Sequence, residues 1–298
     1  MTRAQRREAV EAYLCISPWL IGFVLFVGGP ILGSLGLSLT DWSLLAPPEF
    51  VGLENYQTLV KDPLFWVSLK VTLIYTIVHV PLSIAAGFAL ALLLNQNIRF
   101  VALWRTVFYL PAVVSGVAVA LLWLWVFNPE LGLANRFLWL FGIEPLGWLL
   151  STQWALPALI IISLWNVGGG IVIYLAGLQG IPTELYEAAQ IDGANGWRRF
   201  WAVTVPLMTP VLFFQLIVGM IGAFQVFTNP YVLTQGGPAN ATLVYVLYLY
   251  QNAFSFFKMG YASALAWILF VIALALTIVS FWSSNRWVHY EAAERRTR

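Results

Sequence analysis

Charge is what this chain has least of. Asp, Glu, Lys and Arg make up 9% of its 298 residues, where a soluble domain carries roughly a quarter. With 60% of residues hydrophobic and a mean hydropathy of +0.81, the chain cannot hydrate itself as a globule. It reads as an all-α integral membrane protein. The net charge of +2, with no basic run longer than a few residues, argues against nucleic acid as a partner. A single cysteine, Cys15, excludes an intrachain disulfide. No phosphate loop is present, because Gly168-Gly169-Gly170 has no Lys behind it, so ATP has no such site here. His79 and His289 lie too far apart in sequence to suggest a metal site, and no nucleophile–base pair is visible. The expectation is therefore no catalytic residue, no metal and no cofactor bound by this chain. Asp and Glu are missing from the middle of every apolar stretch, which argues against a proton- or sodium-coupled carrier. A lipid-acting enzyme would need a cluster of His or carboxylates near the bilayer interface, and none is visible.

What is there is apolar sequence in long runs. No charge falls in 12–40, 71–98, 106–129, 145–183, 200–257 or 259–285. A helix needs about 20 apolar residues to cross a bilayer. Six spans are predicted, near 14–39, 67–94, 106–127, 154–178, 204–228 and 262–284, forming a single transmembrane domain over 1–298. Pro230 and Gly236-Gly237-Pro238 are read as breaking the long fifth run into one span and an outer loop; a second span in that run is the alternative. Pro18 and Pro30 predict a bent first helix, too long in its apolar core for a cleaved signal peptide. Fifteen Trp and twelve Tyr suit the bilayer interface. Lys and Arg set the orientation. Arg3, Arg6, Arg7, Arg99, Arg105, Arg198, Arg199, Arg286, Arg295, Arg296 and Arg298 fall on one side, and Lys61, Lys70, Arg136 and Lys258 on the other. This bias places both termini and the loop 180–203 in the cytoplasm, and 40–66, 128–153 and 229–261 outside.

The loop 180–203 is the most informative stretch. Pro182 suits a first helical position, Glu184 complements the helix dipole and Gly193 is a natural stop, so a helix is predicted over 182–192. Leu185, Ala188, Ala189 and Asp192 recur at i, i+3, i+4 and i+7, a narrow face that lets another backbone come close, with Glu187 beside it as a fixed charge. On helix rules alone, an ordinary solvated loop helix fits equally well.

The segment carries Glu187-Ala188-Ala189, Asp192-Gly193-Ala194, Phe200 and Val205-Pro206-Leu207. This resembles the signature loop of binding-protein-dependent ABC importer permeases, with Val203 and Val205 where that family usually has Ile and Leu. Thr234-Gln235-Gly236-Gly237-Pro238, then Tyr250, Ala253-Phe254 and Gly260-Tyr261-Ala262-Ser263-Ala264, resembles the sugar-uptake branch, the MalF/UgpA-like permeases. The resemblance covers about 10–285 and lacks the extra N-terminal helices and large outer insertion of some maltose-type members. It implies a type I importer permease fold and a non-catalytic subunit in a bacterial or archaeal cell (inner) membrane. Implied partners are a second homologous permease, two ATPase subunits that use ATP and Mg, and an extracytoplasmic solute-binding protein. Glu184, Glu187, Ala188, Ala189, Asp192 and Gly193 would then couple to the ATPase.

A sugar delivered by the binding protein, whether mono-, di- or oligosaccharide, needs hydrogen-bonding side chains and aromatic faces within the bundle. Intramembrane polar residues are costly and so informative. Candidates for the pathway are Ser115, Trp165, Asn166, Gln225, Thr228 and Asn229. Hydrogen bonding between helices is the competing explanation for each. Gly168-Gly169-Gly170 would loosen the helix beside Asn166 or admit a neighbour. His79 is read as paired to a backbone carbonyl, with a proton relay as the alternative. Glycerol-3-phosphate and polyols are rival substrates; no span carries an Arg or Lys at mid-depth for a phosphate. The tyrosines Tyr231, Tyr245, Tyr248 and Tyr250 would give loop 229–261 an apolar surface for the binding protein, the partner permease or the interface.

Overall fold

The computed structural model describes residues 2–289. Arg295, Arg296 and Arg298 of the charge count, and the end of the chain placed in the cytoplasm, lie outside them. The chain divides into two compact units, Met1–Asp62 with Leu249–Val271 and Pro63–Tyr248 with Ile272–Arg298. Among the described residues, four helical runs are long and apolar enough to cross a membrane: Arg3–Ser38, Pro63–Leu94, Gly196–Leu233 and Met259–Ser284. Two bent pairs, Val101–Val113 with Gly116–Val126 and Ala155–Leu164 with Val167–Gln179, bring the number to six if each pair crosses once.

In the first unit, the opening run begins well before the expected residue 14. Thr2 and Gln5 form a reciprocal capping box, and Arg7 pairs with Glu11 at 2.8 Å one turn later. The run continues through Pro18 and widens into a π turn over Val24–Gly28, where the Gly29 N–H reaches Val24 O. Pro30 follows at once. A proline has no N–H and its ring crowds the carbonyl four residues back, and a wider turn just before it absorbs that conflict. The helix then closes on a polar knot: the Asn55 amide donates to Ser38 O at 2.9 Å and Thr40 O at 2.8 Å.

The second unit is built on Pro63–Leu94. Its buried hydroxyls satisfy themselves along the helix, Ser68 to Phe65 O, Thr72 to Ser68 O and Thr76 to Thr72 O. Thr72 Oγ1 also accepts the Tyr245 N–H at 2.8 Å. Tyr245 and Tyr248 are thereby buried, which corrects the expectation of a tyrosine-rich outer surface on 229–261. That stretch is itself ordered, with helices Thr228–Leu233 and Tyr245–Tyr250 and a π turn Gln251–Ser255.

The expectation of one helix over 106–127 is also corrected. The two halves meet at 98°, because Pro111 interrupts the hydrogen-bond ladder and Val114 and Ser115 are extended, with ψ of 140° and 131°. The helix over 154–178 bends by 40° at Trp165 and Asn166 and passes through a 3-10 turn, Val167–Gly170. Both breaks touch. A Cβ on Gly168 would collide with the carbonyl of Phe108, so only glycine allows this crossing. The fifth predicted span starts earlier than 204, at Gly196, and has a π turn of its own over Phe200–Thr204 just ahead of Pro206. Its interruption comes at Gln225–Phe227, not at Pro230, which sits in the first turn of Thr228–Leu233, where its missing N–H costs nothing.

These crossings predict a contrast between adjacent glycines. Gly169 faces only Ala112 Cβ, at 3.6 Å from an added Cβ. Gly168→Ala is expected to destabilise the protein by about 1–3 kcal/mol, the usual cost of overpacking, and Gly169→Ala to be near neutral. Thermal unfolding in one detergent compares them; equal melting temperatures would refute the assigned crossing.

Candidate functional site

The two helix breaks open a cavity of about 380 Å³ within the second unit, inside the roughly 300–1,000 Å³ range of small-molecule sites. Four elements supply its wall. His79 and Ser83 come from Pro63–Leu94, Pro111, Val114, Gly116 and Val119 from the 98° pair, Ser163, Trp165, Asn166 and Tyr174 from the 40° pair, and Gln215, Val218 and Gly219 from Val205–Phe224; Asn229 completes it. The wall holds amides, hydroxyls, an imidazole and an indole, and no Asp, Glu, Lys or Arg.

Ser163 organises one side. Its hydroxyl donates to Ile160 O at 2.6 Å and lies 2.7 Å from His79 Nδ1. With its single proton committed, Ser163 accepts from Nδ1–H, which leaves His79 Nε2 as an acceptor. Tyr75 stacks on the imidazole at 5.1 Å and 19°. The expectation that His79 pairs with a backbone carbonyl is thus corrected: a serine hydroxyl is its partner. Opposite, Gln215 Nε2 reaches Gly170 O at 3.5 Å. That is long for a hydrogen bond, so the amide can exchange it for a ligand at little cost. Trp165 stands edge-on to Trp123 at 5.9 Å and 81°.

Of the sequence candidates, Trp165, Asn166 and Asn229 lie in this wall. Ser115 occupies the N-cap of Gly116–Val126, between the wall residues Val114 and Gly116. The Thr228 methyl lies 3.6 Å from where a Gly116 Cβ would be. Gln225 is an exposed C-cap outside the wall. Sequence reasoning passed over Ser83, Ser163, Tyr174 and Gln215. Two of the missed signals were helical: Tyr75, His79 and Ser83 recur every fourth residue, as do Gln215 and Gly219.

The loop helix runs over Thr183–Ile191, with Pro182 as its N-cap and not its first helical residue. It ends in a Schellman motif. Gly193, at φ +76°, donates to Gln190 O, and Ala194 to Ala189 O. Tyr186 turns inward, its hydroxyl 3.0 Å from Thr204 Oγ1. Its ring packs with Phe200, Val203 and Val205 on a core of Phe88, Tyr174, Leu178 and Met208. The helix therefore presents Glu184, Glu187, Ala188 and Ile191 outward, and Ile191 is 87% exposed. Of the predicted face, Leu185, Ala188 and Asp192 are exposed and Ala189 is half-buried; Gly193 is exposed just beyond the last turn.

Among the described residues, no group of three or more His, Cys, Asp or Glu side chains could hold a metal ion. Residues 80–288 match the family model described as binding-protein-dependent transport system inner membrane component. The chain belongs to this family. It is a permease subunit, a non-catalytic membrane component of an ABC transporter. The probable ABC transporter permease protein YesP of Bacillus subtilis (strain 168) is 41% identical over 98% of this chain and 96% of its own length. The lactose transport system permease protein LacF of Rhizobium radiobacter is 37% identical over 94% of this chain and 96% of its own. A crystal structure of a bacterial ABC transporter involved in the import of the acidic polysaccharide alginate has a chain superposing with a TM-score of 0.83 at 24% identity. It covers 95% of this chain and 98% of that one, and establishes the type I importer permease fold.

The anchoring of the loop helix rests on the Tyr186 ring more than on its hydroxyl. Tyr186→Phe is expected to cost about 1 kcal/mol, and Tyr186→Ala about 3–5 kcal/mol, as for other large-to-Ala truncations. Melting curves of both variants give the ranking; an equal loss in the two would mean that the hydrogen bond dominates.

Proposed function

We propose that this permease subunit moves a neutral saccharide, received from an extracytoplasmic binding protein, through the cavity between its broken helices. The observation that carries this reading is the wall itself. Uncharged donors and acceptors, with the Trp165 indole beside them, suit hydroxyl groups on a partly apolar ring. A phosphorylated or uronic-acid substrate would call for Arg or Lys, and the wall has neither. The sugar-transport name of LacF supports the same class.

In this reading the chain crosses a bacterial or archaeal inner membrane six times, with the loop helix cytoplasmic. It works with a second homologous permease and two ATPase subunits, which bind the ATP and Mg. Glu184, Glu187, Ala188, Ala189, Asp192 and Gly193 form the coupling surface, with Glu187 facing a basic ATPase residue. ATP-driven closure of the ATPases pushes Thr183–Ile191. Tyr186 and Phe200 sit in the same apolar cluster as Tyr174, a wall residue of the cavity, so that push bears on the cavity wall. The helices rock, the cavity opens outward to take sugar, and hydrolysis resets it. Ser115, Trp165, Asn166, Gln225, Thr228 and Asn229 mark the sugar's route, to which the geometry adds His79 and Gln215.

Co-expression with candidate ATPases and a second permease tests the coupling surface. Wild type is expected to co-purify with an ATPase, and Glu187→Lys to lose or uncouple it. Solute uptake by the chain alone, driven by an ion gradient with no ATPase bound, would overturn the importer reading. The cavity is tested separately. Asn166→Ala and Gln215→Ala should each lower sugar-stimulated ATPase activity of the assembled complex by about tenfold, the loss of one good hydrogen bond to substrate, with co-purification intact. Unchanged stimulation in both would place recognition in the partner permease.

A further inference from the structure

The segment between the two bent pairs is pinned by one side chain. Asn135 Nδ2 donates to Pro129 O at 2.8 Å and Leu146 O at 2.9 Å, while its Oδ1 accepts the Leu146 N–H at 3.0 Å and the Trp148 indole N–H at 2.7 Å. All four bonds fold the segment back on itself. The short helix Leu133–Trp139 cannot project away; its inner face, Ala134 and Leu138, packs on Phe127, Leu159 and Ile162. Those three residues belong to, or directly follow, helices apolar enough to cross a membrane. The outer face therefore lies beside these apolar helices, and it is itself strongly apolar. Phe137 is 60% and Leu140 71% exposed, and Leu133, Trp139 and Phe141 are exposed beside them. One charge, Arg136, stands among them over a shallow groove.

We propose that Leu133–Phe141 is an interfacial anchor, with Phe137 and Leu140 among the acyl chains and the Arg136 guanidinium on lipid phosphate. Several features select lipid over protein as the occupant. The helix that carries the face packs its other side on helices apolar enough, as pairs, to cross a membrane. Its Phe, Leu and Trp are the residues that interfacial helices bury, and Arg136 is a cation of the kind they set against headgroups. A long cationic side chain inside an apolar face can reach headgroup phosphates while its stem stays buried. A binding protein that comes and goes would leave this face wet for part of every cycle, whereas lipid covers it continuously. The proposed orientation puts the anchor in the outer leaflet. The anchor does not depend on the saccharide reading, so either can fail alone.

The single cysteine makes the test direct. Phe137→Cys and Leu140→Cys are made in a Cys15→Ser background, with Glu144→Cys as the water-facing control. Each carries a polarity-sensitive thiol dye in the full chain purified with its co-expressed partners, in nanodiscs of phosphatidylcholine and phosphatidylglycerol. Dyes at 137 and 140 are expected to emit to the blue of the control. They should be quenched several-fold more by nitroxide on the upper acyl chain than by aqueous iodide, with the opposite ranking at 144. Free quenching by iodide at 137 and 140 would show a wet face and overturn the proposal. Shielding from both quenchers would show burial against another subunit and overturn it equally. Adding Arg136→Glu should reduce the lipid-borne quenching several-fold in phosphatidylglycerol discs; no change would remove the phosphate contact from the proposal.

Discussion

The second unit depends on the contact of Gly168 with the backbone at Phe108. Hydrocarbon offers no partner to a free N–H or C=O, so irregular backbone survives in a membrane only against protein or around a cavity. Here two broken helices share that constraint. The extended residues Val114 and Ser115 and the 3-10 turn Val167–Gly170 are brought to the same place, and the space left between them is the cavity. A side chain at 168 would collide with the Phe108 carbonyl and push the 3-10 turn away from Val101–Val113. The geometry that makes a substrate site possible and the geometry that makes the helix breaks tolerable are thus the same geometry.

The cavity and the exposed loop helix are joined by apolar packing. Phe88 lies 6.0 Å from Tyr174 and 6.1 Å from Phe200, and Tyr186 packs into that cluster. Close-packed side chains transmit displacement because they compress little. The outward face of the loop helix, by contrast, carries Glu184, Glu187 and Ile191 with nothing against them in the single chain. A helix fixed on one side and bare on the other is suited to pass on a push from a partner.

Much of this was legible in the sequence, for identifiable reasons. Long charge-free runs marked the apolar helices, because charge is excluded from hydrocarbon regardless of packing. Gly193 marked the end of the loop helix because a left-handed residue is a local requirement. The angular placement of Ala189 and Ile191 was not legible, since it depends on where Tyr186 finds a pocket. The 98° break was present as Pro111 and Ser115-Gly116, but charge limits alone read straight across it. Trp165, Asn166 and Asn229 stood out as polar or amphipathic residues near helix ends. Gln215 and Ser163 did not, since a polar side chain deep in a run declares its role only through neighbours such as Gly170 and His79. The tyrosines of 245–250 looked like a surface because their partners, Phe65 and Thr72, lie far away in sequence.

The π turn at Phe200–Thr204 has an angular consequence. Such a turn holds one residue more than an α-turn, and each residue of an α-helix advances its direction by about 100°. Everything after Thr204 is therefore rotated by that amount from where an unbroken α-helix would have left it. Gln215, Val218 and Gly219 look into the cavity under this offset; with a regular turn in its place, the stripe would point into the neighbouring helices or the lipid. The five residues beside the loop helix thus act as the setting of a dial, and tightening that turn would swing a different row of side chains toward the substrate.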